Sequence, residues 1–125
     1  MKIAIPSKGP KGVLEEVEEH FGRAEYYTIV EVSDNKEITR VQVEKTPFTS
    51  HGPGDIPNWL KSLGVDLVIA RGMGHRAVDF FNQLGIQVVT GANGMIKDIV
   101  DAYLKGTLVV EEWKGKECGE GECDH

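Results

Sequence analysis

Apolar residues fall in short runs between polar segments rich in glycine and proline, and the spacing within the runs changes along the chain. Ile3-Ala-Ile-Pro6 is a brief apolar run closed by Ser7-Lys-Gly-Pro-Lys-Gly12, which reads as a buried strand and a glycine loop. Residues 13–20 are acidic, with Val13, Leu14 and Val17 on one helical face. A short helix is expected there, ending at Phe21-Gly-Arg-Ala24 with Gly22 as its stop. Residues 26–32 are β-branched and aromatic, and residues 37–45 set Ile38, Val41 and Val43 among polar neighbours. With the turn at 33–36 they predict a hairpin.

The second half repeats a strand–loop–helix unit. Asp55 can cap a helix that carries Pro57 in its first turn and Ile56, Leu60 and Leu63 on its inner face, with Gly64 ending it. Residues 65–70 form a strand, apolar without a break from Leu67, as in the middle of a covered parallel sheet. Arg71-Gly-Met-Gly-His75 is its loop. Ala77, Phe80, Phe81 and Leu84 mark the next helix, residues 86–90 another strand, and 91–94 its loop. Ile96, Ile99, Val100, Tyr103 and Leu104 stripe a last helix. Residues 108–112 read as an added edge strand or a surface segment, and from Lys114 the chain turns polar and glycine-rich.

The order β-α-β-β-α-β-α-β-α, with a hairpin inside an alternating pattern, predicts one α/β domain. Its sheet is mixed and five-stranded, with helices on both faces. The expected division is a domain at 1–113 and a flexible arm at 114–125. In such a sheet ligands lie beyond the carboxyl ends of the strands, where the connections reverse direction. That edge collects the 7–12, 71–75 and 91–94 loops, with the 46–54 loop in reach.

Composition narrows the class. Fourteen basic and twenty acidic residues give a net charge of −6. No Lys/Arg stripe forms, so nucleic acid is not an expected partner. No apolar run approaches a membrane span, and the first residues lack a signal-peptide core, so a soluble cytoplasmic protein is expected.

Both cysteines stand in the last eight residues, Cys118-Gly-Glu-Gly-Glu-Cys123-Asp-His125. Two thiols and an imidazole so close together suit zinc, copper(I) or an iron–sulfur centre. The spacing is not that of a structural zinc site, and three ligands fall one short of the four such a site takes. The alternatives are an inert acidic tail or a disulfide. Gly72, Gly74 and Ala77 match the loose form of a dinucleotide fingerprint, but Thr90-Gly91 stands where a ribose-binding acid is needed. What survives is an anion site. Glycines allow close approach, a helix N-terminus favours negative charge, and Arg71 adds a cation with Met73 and His75 as soft ligands. His51, on a proline-stiffened loop, is a further candidate. No nucleophile–base arrangement is visible, so no catalytic residue is assigned.

The chain resembles the dinitrogenase iron–molybdenum cofactor biosynthesis proteins, the group with NifX, NafY and the C-terminal domain of NifB. The resemblance spans about residues 1–108. It rests on Met1-Lys-Ile-Ala-Ile-Pro6, on His20-Phe-Gly-Arg-Ala24, and on Gly64-Val-Asp-Leu-Val-Ile-Ala-Arg-Gly-Met-Gly74. Phe80-Phe-Asn-Gln-Leu-Gly-Ile86 and Tyr103-Leu-Lys-Gly-Thr-Leu108 continue it. It implies a ribonuclease-H-like fold and non-covalent binding of an iron–sulfur or iron–molybdenum-type cluster without catalysis. Nuclease activity is not implied, because Ile3-Ala-Ile-Pro6 carries no metal-binding carboxylate.

The resulting expectation is a cluster carrier whose partners are metallocofactor assembly proteins or acceptor apoenzymes. Its cofactor contacts would be His51, Arg71, Gly72, Met73, Gly74 and His75, with Cys118, Cys123 and His125 on metal. The rivals are an enzyme acting on a small anion through Arg71 and His75, and a regulatory domain whose tail takes up zinc incidentally.

Overall fold

The computed structural model describes residues 1–46 and 55–108. Five strands and three helices follow in the order β1 (Lys2–Ser7), β2 (Tyr26–Val32), β3 (Ile38–Lys45), α1 (Asp55–Ser62), β4 (Leu67–Ile69), α2 (His75–Gln83), β5 (Gln87–Val89) and α3 (Ile96–Lys105). The strands form one sheet in the order β3-β2-β1-β4-β5. The first three are antiparallel neighbours, whereas β1–β4 and β4–β5 are parallel. The mixed α/β sheet read from the sequence is therefore the fold.

Strand residues alternate between two cores, as the pleat requires. Ala4, Tyr27, Ile29 and Val68 pack with Ile56 and Leu60 of α1 and Phe81 of α2. Ile3, Ile5, Val30, Leu67 and Ile69 pack on the opposite face with Ile96, Ile99 and Val100 of α3. Helices thus cover both faces. Leu60, Phe81, Ile96 and Val100 are wholly buried, and each such side chain contributes about 1.5–3 kcal/mol relative to exposure. Gly106 ends α3 in the left-handed region at φ 73°, which glycine adopts without a Cβ penalty.

The expected helix at 13–20 does not form. Two single 3₁₀ turns, Gly12–Leu14 and Phe21–Arg23, flank an extended segment. Val17 bridges to Ser7 and Glu16 to Met95. Backbone bonds run from Lys8 N to Glu16 O (3.1 Å), Glu18 N to Pro6 O (2.8 Å), Val17 N to Gly94 O (3.0 Å) and Ile96 N to Glu15 O (2.9 Å). A helix of this length is marginal alone, and glutamates at i,i+3 and i,i+4 repel one another. The extended strip instead meets waiting partners on both sides. It buries Val17 but leaves Leu14 61% exposed, so the two do not share a face. Of residues 108–112 only Leu108 is described; it packs on the α3 core.

Candidate functional site

Connectivity fixes what reaches the carboxyl edge of the parallel strands. α2 follows β4 and α3 follows β5, so both helices start there. The C-terminal end of α1 lies at the opposite edge, since Lys2 Nζ at the start of β1 donates to Leu63 O (3.0 Å). Three helix N-termini therefore face one edge. Each favours an anion by about 0.3–1 kcal/mol at an exposed position.

The crevice between β1 and β4, where connections diverge, is filled by the chain itself. The 15–18 strip lies along the end of β1 and is held on its far side by Gly94 and Ile96. The 7–12 loop is also committed. Ser7 Oγ and Thr28 Oγ1 are bonded at 2.6 Å and buried. The Glu15 carboxylate accepts from Lys11 N (3.0 Å) and lies against Gly9, where a Cβ would have to push that side chain aside. An anion, the protein's own, already occupies this glycine loop.

The 71–75 loop stands apart from the strip. Gly72 O accepts from Phe21 N at 3.1 Å, which ties the Phe21–Arg23 turn to this loop. Arg71 is half-buried and His75 is exposed as the first residue of α2. Gly72 and Gly74 are buried, and Gly74 is extended (φ −73°, ψ 162°), so it makes no left-handed turn. Met73 is 8% exposed and belongs to the core beside Phe21 and Phe81, where its sulfur serves packing.

One support was missed in the sequence. Tyr27, wholly buried in β2, donates its hydroxyl to Phe21 O at 2.7 Å. Burial, and then the Glu18 carboxylate, push its phenol well above the usual range, so it remains a donor. Phe21 packs edge-on to Tyr27 and Phe81, each at 5.4 Å between centroids. Tyr27 thus fixes Phe21, and Phe21 fixes the carbonyl of Gly72. The signal was the His20-Phe-Gly-Arg-Ala24 string, whose task is to brace this loop rather than to end a helix.

His51, Cys118, Cys123 and His125 lie outside the described residues. Among the described residues no group of three or more His, Cys, Asp or Glu is placed to hold a metal ion. None of their buried side-chain nitrogens or oxygens lacks a partner. The 71–75 loop therefore offers the Arg71 guanidinium, the His75 imidazole and the N-terminus of α2, not a closed coordination sphere. A shallow groove at the opposite edge, lined by Met1, Val32, Tyr103 and Leu104 among others, contains none of these residues. No helix among the described residues is long and apolar enough to cross a membrane.

Known proteins share this architecture. The crystal structure of PH0822 superposes with a TM-score of 0.83 and is 40% identical, covering 89% of this chain and 96% of that one. The NMR structure of a Thermotoga protein, TM1290, assigned provisionally as a NifB protein, has a TM-score of 0.67 and 31% identity, over 87% of this chain and 91% of that one. An uncharacterised Methanocaldococcus jannaschii protein, MJ0580, is 30% identical over 110 residues, 86% of this chain and 89% of its own. The sequence model described as dinitrogenase iron–molybdenum cofactor matches residues 1–106, which takes in the whole sheet, all three helices and the 71–75 loop. The chain belongs to the dinitrogenase iron–molybdenum cofactor family.

Proposed function

We propose that this protein binds an iron–sulfur or iron–molybdenum-type cluster as cargo and passes it on during metallocofactor assembly, without catalysing a reaction. Its partners are then assembly proteins that donate the cluster and apoenzymes that accept it. Residues 1–113 form the binding domain and 114–125 a ligand-bearing arm.

The observation that carries the reading is the braced 71–75 loop in a protein of this family. His75 is exposed at a helix N-terminus with Arg71 four residues before it. A cluster with net negative charge gains there from the dipole and from the cation, while the imidazole supplies a bond. His51 and the soft ligands Cys118, Cys123 and His125 supply the remaining bonds. A set drawn from separate segments can be released a ligand at a time, which suits a carrier. Zinc is the alternative occupant of the tail thiols.

Anaerobic purification followed by supply of iron, sulfide and molybdate, or of a preformed cluster, tests this. The expected result is a coloured protein with up to about one cluster per chain or per dimer that hands iron to an apoprotein acceptor. Absence of both colour and iron uptake under reducing conditions sinks the proposal, and uptake of zinc alone supports the incidental-zinc reading.

A further inference from the structure

We infer that two copies of this chain pair through β3, antiparallel about a two-fold axis at Gln42, to make one ten-stranded sheet. β3 is an edge strand of eight residues, whereas the other edge, β5, has only three. Its outer row of N–H and C=O groups has no strand partner among the described residues, and such a row is a template for another strand.

The sequence of β3 specifies the occupant. Cross-strand register places Arg40, Gln42 and Glu44 on the face of Ile29 and Tyr27, and Val41 and Val43 on the face of Val30 and Thr28. Antiparallel pairing centred on Gln42 sets Arg40 opposite Glu44 of the second copy, twice by symmetry. On the other face it sets Val41 opposite Val43 of the second copy, also twice. Opposite charges and β-branched pairs directly across a ladder both stabilise it. Moving the axis one residue loses this match. One way it pairs Ile38 with Glu44, the other way Val41 with Lys45.

The apolar face has a further reason to be covered. Val41 is 41% exposed and Ile38 46%. Gly12 lies over Val41 and Val43, and Leu14 of the same 3₁₀ turn is 61% exposed. A two-fold axis normal to the sheet keeps these faces on the same side in both copies. Among the described residues Arg40 makes a long contact to Glu31, 3.9 Å, with 67% of its side chain exposed, and Glu44 accepts from Gln42 of its own strand at 2.9 Å, a bond that leaves the carboxylate oxygens capacity to accept from Arg40 of a second copy. Being antiparallel, the pair points the two carboxyl edges in opposite directions and leaves each 71–75 loop open. One strand a side is less than the roughly 20–30 residues a side of a standard interface, so a dissociation constant of about micromolar order is expected.

Sedimentation equilibrium of the full chain, in reductant and chelator so that the cysteines cannot link copies, is the test. The wild type is expected to rise from 13.8 kDa toward twice that mass as concentration increases through the micromolar range. Arg40→Glu and Glu44→Arg each place like charges opposite one another and should weaken association about tenfold. The double variant, Arg40→Glu with Glu44→Arg, should restore it. Circular dichroism checks the fold, and concentration-dependent hydrogen exchange of the β3 amides in the wild type gives a reading free of any variant. A monomer at every concentration, β3 amides indifferent to concentration, a dimer indifferent to either reversal, or no rescue by the double variant would overturn the inference.

Discussion

A single phenol carries more of the candidate site than its burial suggests. Tyr27 donates to Phe21 O at 2.7 Å, and Phe21 N donates to Gly72 O at 3.1 Å. Tyr27→Phe keeps the ring and removes only the first bond, leaving the Phe21 carbonyl without that donor. The expected cost is about 1–3 kcal/mol, read as a lower midpoint in a thermal melt. Faster exchange of the Phe21 amide would show that the loss reaches the 71–75 loop. Unchanged exchange would confine Tyr27 to packing. The same hydroxyl predicts an alkaline effect. Burial and then Glu18 raise its ionisation in the folded state above the ordinary 10.0. The unfolded chain therefore loses this proton first as pH rises. The stability Tyr27 contributes is fully present below about pH 10 and is lost above it, by up to about 1.4 kcal/mol per pH unit. Denaturant melts at pH 8 and pH 11 should show a smaller decline in Tyr27→Phe than in the wild type. At the loop, His75→Ala should lower iron retained after desalting by at least about tenfold, since it removes a bond. Arg71→Ala should cost only about two- to fivefold, since a screened, half-buried cation adds no bond. Equal retention by both variants and wild type would place the cluster elsewhere.

Between elements, the 15–18 strip shows where sequence reading stopped and why. Strands and helices whose partners are adjacent in the pattern were legible: the β2–β3 hairpin, α1 beginning at Asp55, α2 and α3 each closed near a glycine. The strip was not, because its bonds go to Pro6, Lys8, Gly94 and Ile96, the last two about eighty residues away. Local propensity for glutamate and a chance spacing of Val13, Leu14 and Val17 favoured a helix, and tertiary pairing overrode it. The site divides likewise. The glycines, arginine and histidine of the 71–75 loop announced an anion-friendly helix start, whereas the brace through Phe21 depends on a contact with no periodicity to read. Bonds of this kind predict local, not global, sensitivity. Val17 is 3% exposed, and Val17→Ala should cost about 1–3 kcal/mol through the cavity it leaves. Hydrogen exchange of the Val17, Glu18 and Ile96 amides should accelerate more than that of β1 and β4. A uniform loss of protection across the sheet would mean that the strip belongs to the same cooperative unit as the core.

For the whole molecule, any role of residues 114–125 in the fold can be separated by experiment from the metal binding proposed for them. Among the described residues α1 and α2 cover one face of the sheet and α3 the other, with Leu108 packed on the second. The residues from Lys114 onward include no Ala, Val, Leu, Ile, Met, Phe, Tyr or Trp. With little to bury, they give the folded state little to lose, so removing 114–125 should leave the thermal midpoint almost unchanged while weakening metal binding. The charge moves the same way. Two lysines against three glutamates and one aspartate make the arm 2 − 4 = −2 of the total −6, leaving the body at −6 − (−2) = −4. The arm's own charge opposes an anionic cluster, so in the proposed carrier the cysteines would contribute through the bonds they form and not through charge. Melts of full-length and truncated chains, each with and without a chelator, separate the two roles. If metal-free truncation costs several kcal/mol, the arm is structural. If truncation is neutral without metal but removes the stabilisation that metal adds to the full chain, the arm acts only through the cargo, as linkage requires of any group that binds through the folded state alone.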